Sequence, residues 1–245
     1  MTKGIVLAGG KGTRLFPTTV AISKQLHSVY NKPMIYYPLQ TLKDMGITEI
    51  LIITADEQQC RLFQEQLKDG EEYGLQLQYA IQSKPGGLPE AFIIGEHFIG
   101  VSDDIALILG DNVFITNKKL RAEPNTIYTY KVKNPSAYGV AELDENGNLA
   151  NIVEKPTEYI SDNAVVGLYV FTHAAIGIAK GLEPSARGEL EIVDLISKLN
   201  EEEGLLVQEL DGFWFDCGNH DDLLDCANLV RTIEHRTERK IGLHK

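Results

Sequence analysis

Three runs of the sequence, residues 4–7, 49–54 and 105–109, are almost wholly apolar and alternate with segments of helical periodicity. A strand buried on both faces reads as such a run, and strands separated by helices form a parallel sheet with helices on each side. This alternation confines the first half of the chain to an α/β architecture. Residues 33–45 are expected to be a helix. Pro33 suits a first turn, Met34, Leu39, Leu42 and Met45 recur, and Gly46 stops it. Asp56 is placed to cap a helix reaching about residue 67. Residues 75–81 alternate as a strand, and 87–98 are expected to be helical with Pro89 in the first turn.

The second half is richer in strands, expected at 126–132, 138–143, 149–153 and 165–171. Asn146-Gly147 between two of them is a hairpin signal. Helices are expected at 189–200 and 220–235, with Glu201-Glu202-Glu203 as a solvated helix end. No repeat or linker is visible. The expected fold is a single α/β domain over 1–245: a Rossmann-like, mostly parallel sheet with helices on both faces, plus a β-rich portion. A chain of 245 residues is long enough to bury such a core.

The net charge of −12 argues against nucleic acid or an anionic membrane as partner. A phosphorylated small molecule would need a local cluster of cations. Three cysteines, with no Cys-x-x-Cys pair, argue against a disulfide framework and for a reducing, cytoplasmic location. The N-terminal apolar run Ile5-Val6-Leu7-Ala8 is too short for a signal peptide or a membrane span.

Such cations stand in Leu7-Ala8-Gly9-Gly10-Lys11-Gly12-Thr13-Arg14-Leu15, directly after the first strand. Glycines let the backbone turn its N–H groups toward phosphate oxygens. Leu15 replaces the third glycine of a dinucleotide fingerprint, and no Gly-Lys-Ser/Thr stands at Walker A spacing. A dehydrogenase and a P-loop kinase are therefore both disfavoured. Gly110-Asp111-Asn112 follows the third apolar strand, where ligands of open α/β sheets bind. A carboxylate there can hold Mg²⁺ against phosphate oxygens. Asp216, in Trp214-Phe215-Asp216-Cys217-Gly218-Asn219-His220, is an acid just before a helix start, where it could serve as a cap. Cys217 and His220 alone make a weak case for zinc. Glu154-Lys155-Pro156 taken alone is a surface charge pair, and Arg187 a pre-helix arginine with the planar fork that suits phosphate. Gln82 ends a strand and Gly87 opens a helix.

Taken in order, these segments resemble the sugar-1-phosphate nucleotidyltransferases. The resemblance also runs through Ser23-Lys24-Gln25-Leu26, the segment from Lys32-Pro33-Met34 to Pro38-Leu39, Ala91 to Glu96, Gly167-Leu168-Tyr169 and Pro184-Ser185-Ala186-Arg187-Gly188-Glu189-Leu190-Glu191-Ile192. It covers nearly the whole chain, and it implies transfer of a deoxythymidylyl group from dTTP to glucose 1-phosphate, releasing pyrophosphate. UTP or another triphosphate with a related sugar 1-phosphate is the alternative, as is a nucleotide-sugar sensor without turnover. The implied cofactor is Mg²⁺, shared by Asp111 and Asp216. Leu7, Gly9, Gly10, Gly12, Thr13 and Arg14 are implied to hold the nucleotide, with Gln82 and Gly87 reading its base. Lys24, Asn112, Tyr138, Gly139, Glu154, Lys155, Val165, Tyr169 and Arg187 are implied to hold the sugar phosphate. Arg14, Lys24 and Asp111 are the implied catalytic groups. Residues 1–112 would be mainly nucleotide-binding and 113–245 mainly sugar-phosphate-binding. A homo-oligomer is implied as well.

Departures from the family pattern are Leu26-His27-Ser28 after Lys24-Gln25, Val166 in place of threonine, and Cys217 and Asn219 in place of threonines. The stretch 113–125 is too short for the helix the family has there, and the extension of the longer family form does not follow Lys245.

Overall fold

The computed structural model describes residues 1–10 and 12–244. The first part of the chain forms β1 (Thr2–Ala8), β2 (Ser28–Val29), β3 (Lys32–Pro33), α1 (Tyr36–Asp44), β4 (Glu49–Thr54), α2 (Glu57–Leu67), β5 (Gln76–Ile81) and α3 (Glu90–Ile99). Next come β6 (Asp104–Leu109), β7 (Asn112–Thr116), β8 (Thr126–Lys131), β9 (Gly139–Leu143), β10 (Leu149–Glu154) and β11 (Asn163–Phe171). The chain ends with α4 (Ala174–Lys180), α5 (Ile192–Glu202), β12 (Leu206–Glu209), β13 (Gly212–Asp216) and α6 (His220–Arg236). These elements gather into two compact units that interleave along the sequence. One comprises Gly4–Pro85, Ile108–Arg121 and Asp211–Lys245, and the other Met1–Lys3, Gly86–Leu107 and Ala122–Leu210.

The first unit carries the glycine-rich loop. Its strands β1, β4 and β5 pair in parallel, with Leu7 opposite Ile53 and Ile53 opposite Ala80. Ile5, Val6, Ile50, Ile52 and Ile53 are fully buried, which is what their uninterrupted apolar runs encode. Helix α2 is capped as expected, with the Asp56 carboxylate accepting from the Gln59 backbone N–H at 2.8 Å. Helix α1 begins at Tyr36 rather than at residue 33. Pro33 instead pairs with Ser28 in a two-strand ribbon, so its backbone is committed before the helix starts. Pro38 then sits inside the first turn, where a missing N–H costs nothing.

Strands β7 and β13, not expected from the sequence, form an antiparallel ribbon. Asn112 lies opposite Asp216, Val113 opposite Phe215 and Phe114 opposite Trp214. At Gly212 a Cβ would come within 2.4 Å of the Ile115 carbonyl oxygen, so the close approach of the two strands there requires glycine. Val113 and Ile115 pack into a core with Met34, Tyr37, Cys217, Cys226 and Val230. That core fixes the ribbon against α6, whose cap is Asn219, accepting from the Asp222 N–H at 2.9 Å. Asp216 is therefore not the helix cap.

The second unit is mainly antiparallel. Strand β9 pairs with β10 on one side and with β11 on the other. Strand β8 pairs antiparallel with β11 and parallel with β12. The register of β11 shifts between Val165 and Tyr169. The Asn146-Gly147 hairpin is present: the Asp144 carboxylate accepts from the backbone N–H of Asn146 and of Asn148, each at 2.8 Å, and Gly147 takes φ 84°. Helix α3 starts at Glu90, three residues later than expected, because Gly87 is tied in a parallel bridge to Leu190. Helix α5 likewise starts at Ile192, because Ser185 turns back on Gly188 and Glu189 through backbone hydrogen bonds. Among the described residues no helix is long and apolar enough to cross a membrane.

Candidate active site

In the first unit the glycine loop leaves β1 at Ala8. Gly10 and Gly12 adopt φ 104° and 58°, a region that side chains disfavour, and Gly12 opens the 3-10 turn Thr13–Leu15 that carries Arg14. The Thr19 hydroxyl donates to the Gly12 carbonyl at 2.9 Å, closing the loop on itself. Lys11 lies outside the described residues. The amide oxygen of Gln82 stands 3.7 Å from where a Cβ on Gly9 would be, so Gln82 and the loop are brought together. The Gly110 N–H donates to the Leu7 carbonyl at 3.0 Å and ties the loop's root to the Gly110-Asp111-Asn112 segment.

That segment and the end of β13 hold the two carboxylates. The β7–β13 register places Asn112 opposite Asp216, and the Cys217 N–H donates to the Asp111 carbonyl at 2.9 Å. Asp111 is buried and forms an ion pair with Lys24. Asp216 faces Arg14, whose Nη2 is 3.5 Å away. Gly218 permits that approach, since a Cβ there would lie 2.6 Å from the same nitrogen. Burial, followed by the negative charge of Asp111, pushes the Asp216 carboxyl above the ordinary carboxylate range, against the lowering pull of Arg14 and Lys24. A carboxylate whose proton affinity is raised by a neighbouring negative charge is also a place where a divalent cation is favoured. Mg²⁺ takes hard oxygen ligands and is commonly held by one or two carboxylates plus substrate phosphates. Among the described residues no group of three or more His, Cys, Asp or Glu side chains gathers, so this pair fits a metal that completes its shell with phosphate and water.

The second unit holds the other cluster. Lys155 follows β10 with φ 45°, a strained value for a residue with a side chain, and its N–H donates to the Tyr138 carbonyl at 2.9 Å. Lys155 Nζ lies 3.1 Å from Glu154, and Arg187 Nη2 lies 3.6 Å from the same oxygen. Both cations are half-exposed and accessible to an anion. Gly139 leaves room for Glu154, because a Cβ there would meet the carboxylate at 3.3 Å. Tyr169 is buried nearby. Burial, then the Glu154 charge, drives its phenol well above the ordinary range, so it acts as a neutral hydroxyl. Val165 is buried on the same strand. Glu191, which sequence reasoning passed over, grips the Arg187 fork with two hydrogen bonds of 3.1 and 2.6 Å and also accepts from Ser185 at 2.6 Å. Burial raises the Glu191 pKa, but these hydrogen bonds and the nearby cations outweigh it and hold the carboxyl below its usual range. The i, i+4 spacing of Arg187 and Glu191 was the signal available in the sequence.

Thus Leu7, Gly9, Gly10, Gly12, Thr13, Arg14, Lys24, Gln82, Asp111, Asn112 and Asp216 fall in one unit. Gly87, Tyr138, Gly139, Glu154, Lys155, Val165, Tyr169 and Arg187 fall in the other. Gly87 adopts φ 93°, and a Cβ there would lie 2.0 Å from the Leu190 carbonyl oxygen. Lys24 and Asn112, implied sugar-phosphate contacts, therefore share a unit with the glycine loop.

The family model for nucleotidyl transferases matches residues 3–232. Glucose-1-phosphate thymidylyltransferase of Neisseria meningitidis is 49% identical over 243 residues, spanning 95% of this chain and 84% of the relative. The enzyme of the same name from Mycolicibacterium smegmatis is 44% identical over 250 residues, spanning 98% and 86%. Among solved structures, a Bacillus anthracis protein assigned as a glucose-1-phosphate thymidylyltransferase, in complex with a sucrose, aligns with a TM-score of 0.87 at 35% identity, over 95% of this chain and 96% of that one. A UDP-glucose pyrophosphorylase complexed with UDP-glucose aligns with a TM-score of 0.83 at 22% identity, over 95% and 99%, which speaks for the fold alone. On the strength of the family match over most of its length and of these relatives, the chain belongs to the nucleotidyl transferase family.

Proposed function

We propose that this protein transfers a deoxythymidylyl group from dTTP to glucose 1-phosphate, forming dTDP-glucose and pyrophosphate. The observation that carries the reading is the carboxylate pair Asp111 and Asp216, each faced by a cation, beside a glycine-rich loop. The names of the 44–49% identical relatives supply the substrate pair. A sugar 1-phosphate is mostly dianionic at neutral pH, because its second pKa is about 6. Its oxygen can attack the α-phosphorus without a general base. The barrier is the repulsion of two anions, and the remedy is positioned positive charge.

Each residue then has a role. Arg14 and the loop glycines grip the β- and γ-phosphates, and Lys24 neutralises the α-phosphate region. Gln82, beside the glycine loop, reads the base. Glu154 accepts from sugar hydroxyls, Tyr169 lines the sugar, and Lys155 with Arg187 holds its phosphate. Asp111 and Asp216 would hold Mg²⁺, which would supply charge neutralisation at the phosphates. Lys24 and Arg14 are paired with those carboxylates in this structure, and on this proposal they would serve the triphosphate when it binds.

The test is product analysis. With dTTP, glucose 1-phosphate and Mg²⁺, phosphorus NMR should show dTDP-glucose and pyrophosphate appearing in equal amounts, and excess EDTA should stop both. A protein that binds dTTP yet forms no sugar nucleotide would be a sensor and not an enzyme.

A further inference from the structure

Asn112 stands at the centre of the carboxylate pair: it follows Asp111 in the chain and lies opposite Asp216 across the ribbon. Its side chain is buried. Its amide nitrogen donates to Asp111 Oδ1 at 3.2 Å, while Lys24 takes Asp111 Oδ2. The two carboxylate oxygens are thus assigned to different partners, and the carboxylate plane is fixed. An asparagine amide has two near-isosteric orientations that exchange its oxygen and its nitrogen. In the flipped orientation its oxygen would face Asp111 Oδ1, and two acceptors would repel. Something must hold the orientation seen. The indole N–H of Trp214, itself buried, donates to Asn112 Oδ1 at 2.7 Å. An indole N–H can only donate, so it accepts one orientation of the amide and rejects the other.

Resting on the metal reading of Asp111 and Asp216, we infer that Trp214 is a positioning residue: its N–H fixes the Asn112 amide, which in turn aims the Asp111 carboxylate for the divalent cation. Groups behind a metal ligand commonly change metal affinity about 10–100-fold when removed.

The sequence contains one tryptophan, so replacing tryptophan during expression alters only this position. Incorporation of 3-benzothienylalanine exchanges the N–H for sulfur and keeps the ring's shape. The readout is Mn²⁺ binding, followed by electron paramagnetic resonance with dTTP present and sugar phosphate omitted. Mn²⁺ should bind about tenfold more weakly in the benzothienyl protein, with the melting temperature held within a few degrees. Trp214→Phe should weaken binding in the same direction. Incorporation of 5-fluorotryptophan, which keeps the N–H, should restore it. Wild-type Mn²⁺ affinity in the benzothienyl protein would reduce Trp214 to a space-filling ring and overturn the inference alone. If the wild-type protein bound no Mn²⁺ under these conditions, the metal assignment would fail and this inference with it.

Discussion

Asp111→Asn should lower kcat/KM by about 10²–10³-fold, the range found when one preorganised electrostatic group is removed from a reaction centre. The substitution keeps the shape of the side chain and the hydrogen bond from Asn112, so the fold should survive. What is lost is a formal charge. Asp111 is the more buried of the two carboxylates and is paired with Lys24. Without it the proposed cation would keep one protein ligand, and Lys24 would lose its counter-ion. Steady-state kinetics across a Mg²⁺ titration check the result, with thermal denaturation as the control for folding. Near-normal turnover in Asp111→Asn would remove this carboxylate from the reaction.

Arg14→Ala and Lys155→Ala should separate the two substrates. Arg14 folds with the glycine loop and faces Asp216, while Lys155 folds with Glu154 and Arg187 in the other unit. On the proposed roles each would remove a charge-assisted contact to one phosphate, a loss of about 1.5–3 kcal/mol or roughly ten- to a hundredfold. For Lys155→Ala the loss should appear in the kinetics with sugar 1-phosphate, leaving the KM for triphosphate little changed. Arg14→Ala should show the reverse. Both side chains are at least half exposed, so neither variant should unfold. Sugar-phosphate kinetics unchanged in Lys155→Ala would contradict its assignment.

The parallel strands were legible because burial on both faces leaves a contiguous apolar run, as at Ile50-Leu51-Ile52-Ile53. The hairpin was legible because Asn146-Gly147 suits few other conformations. Helix starts were less so. Residues 33, 87 and 189 each precede the true start by three, because a tertiary pairing claims the local backbone: Pro33 with Ser28, Gly87 with Leu190, and Ser185 with Glu189. Propensity cannot register such a partner. The β7–β13 ribbon was missed because its strands are five residues long and their pairing joins residues about a hundred positions apart. The same distance hid the chemistry around the carboxylates. Asp111 and Asp216 could be named from their segments, but the pairing of Asp111 with Lys24, the hydrogen bond from Trp214 to Asn112 and the space Gly218 leaves for Arg14 exist only after folding.

The identity of the base tests the account most directly. A site that reads a pyrimidine edge would have to exclude the second ring of a purine. Cytosine presents an acceptor at N3 where thymine and uracil present an N–H, and a donor at C4 where they present a carbonyl. A Gln82 amide turned to the thymine pattern would leave polar groups unpaired against it, at about 1–3 kcal/mol each. Thymine and uracil share that edge and differ by one methyl, worth about 1 kcal/mol. The measurement is a competition among dTTP, UTP, CTP, GTP and ATP at equal concentrations with saturating glucose 1-phosphate, the sugar nucleotides being separated and counted. The account predicts dTDP-glucose as the main product, UDP-glucose as a measurable second, and only traces of the rest. A main product carrying cytosine or guanine would contradict both the Gln82 assignment and the thymidylyl transfer.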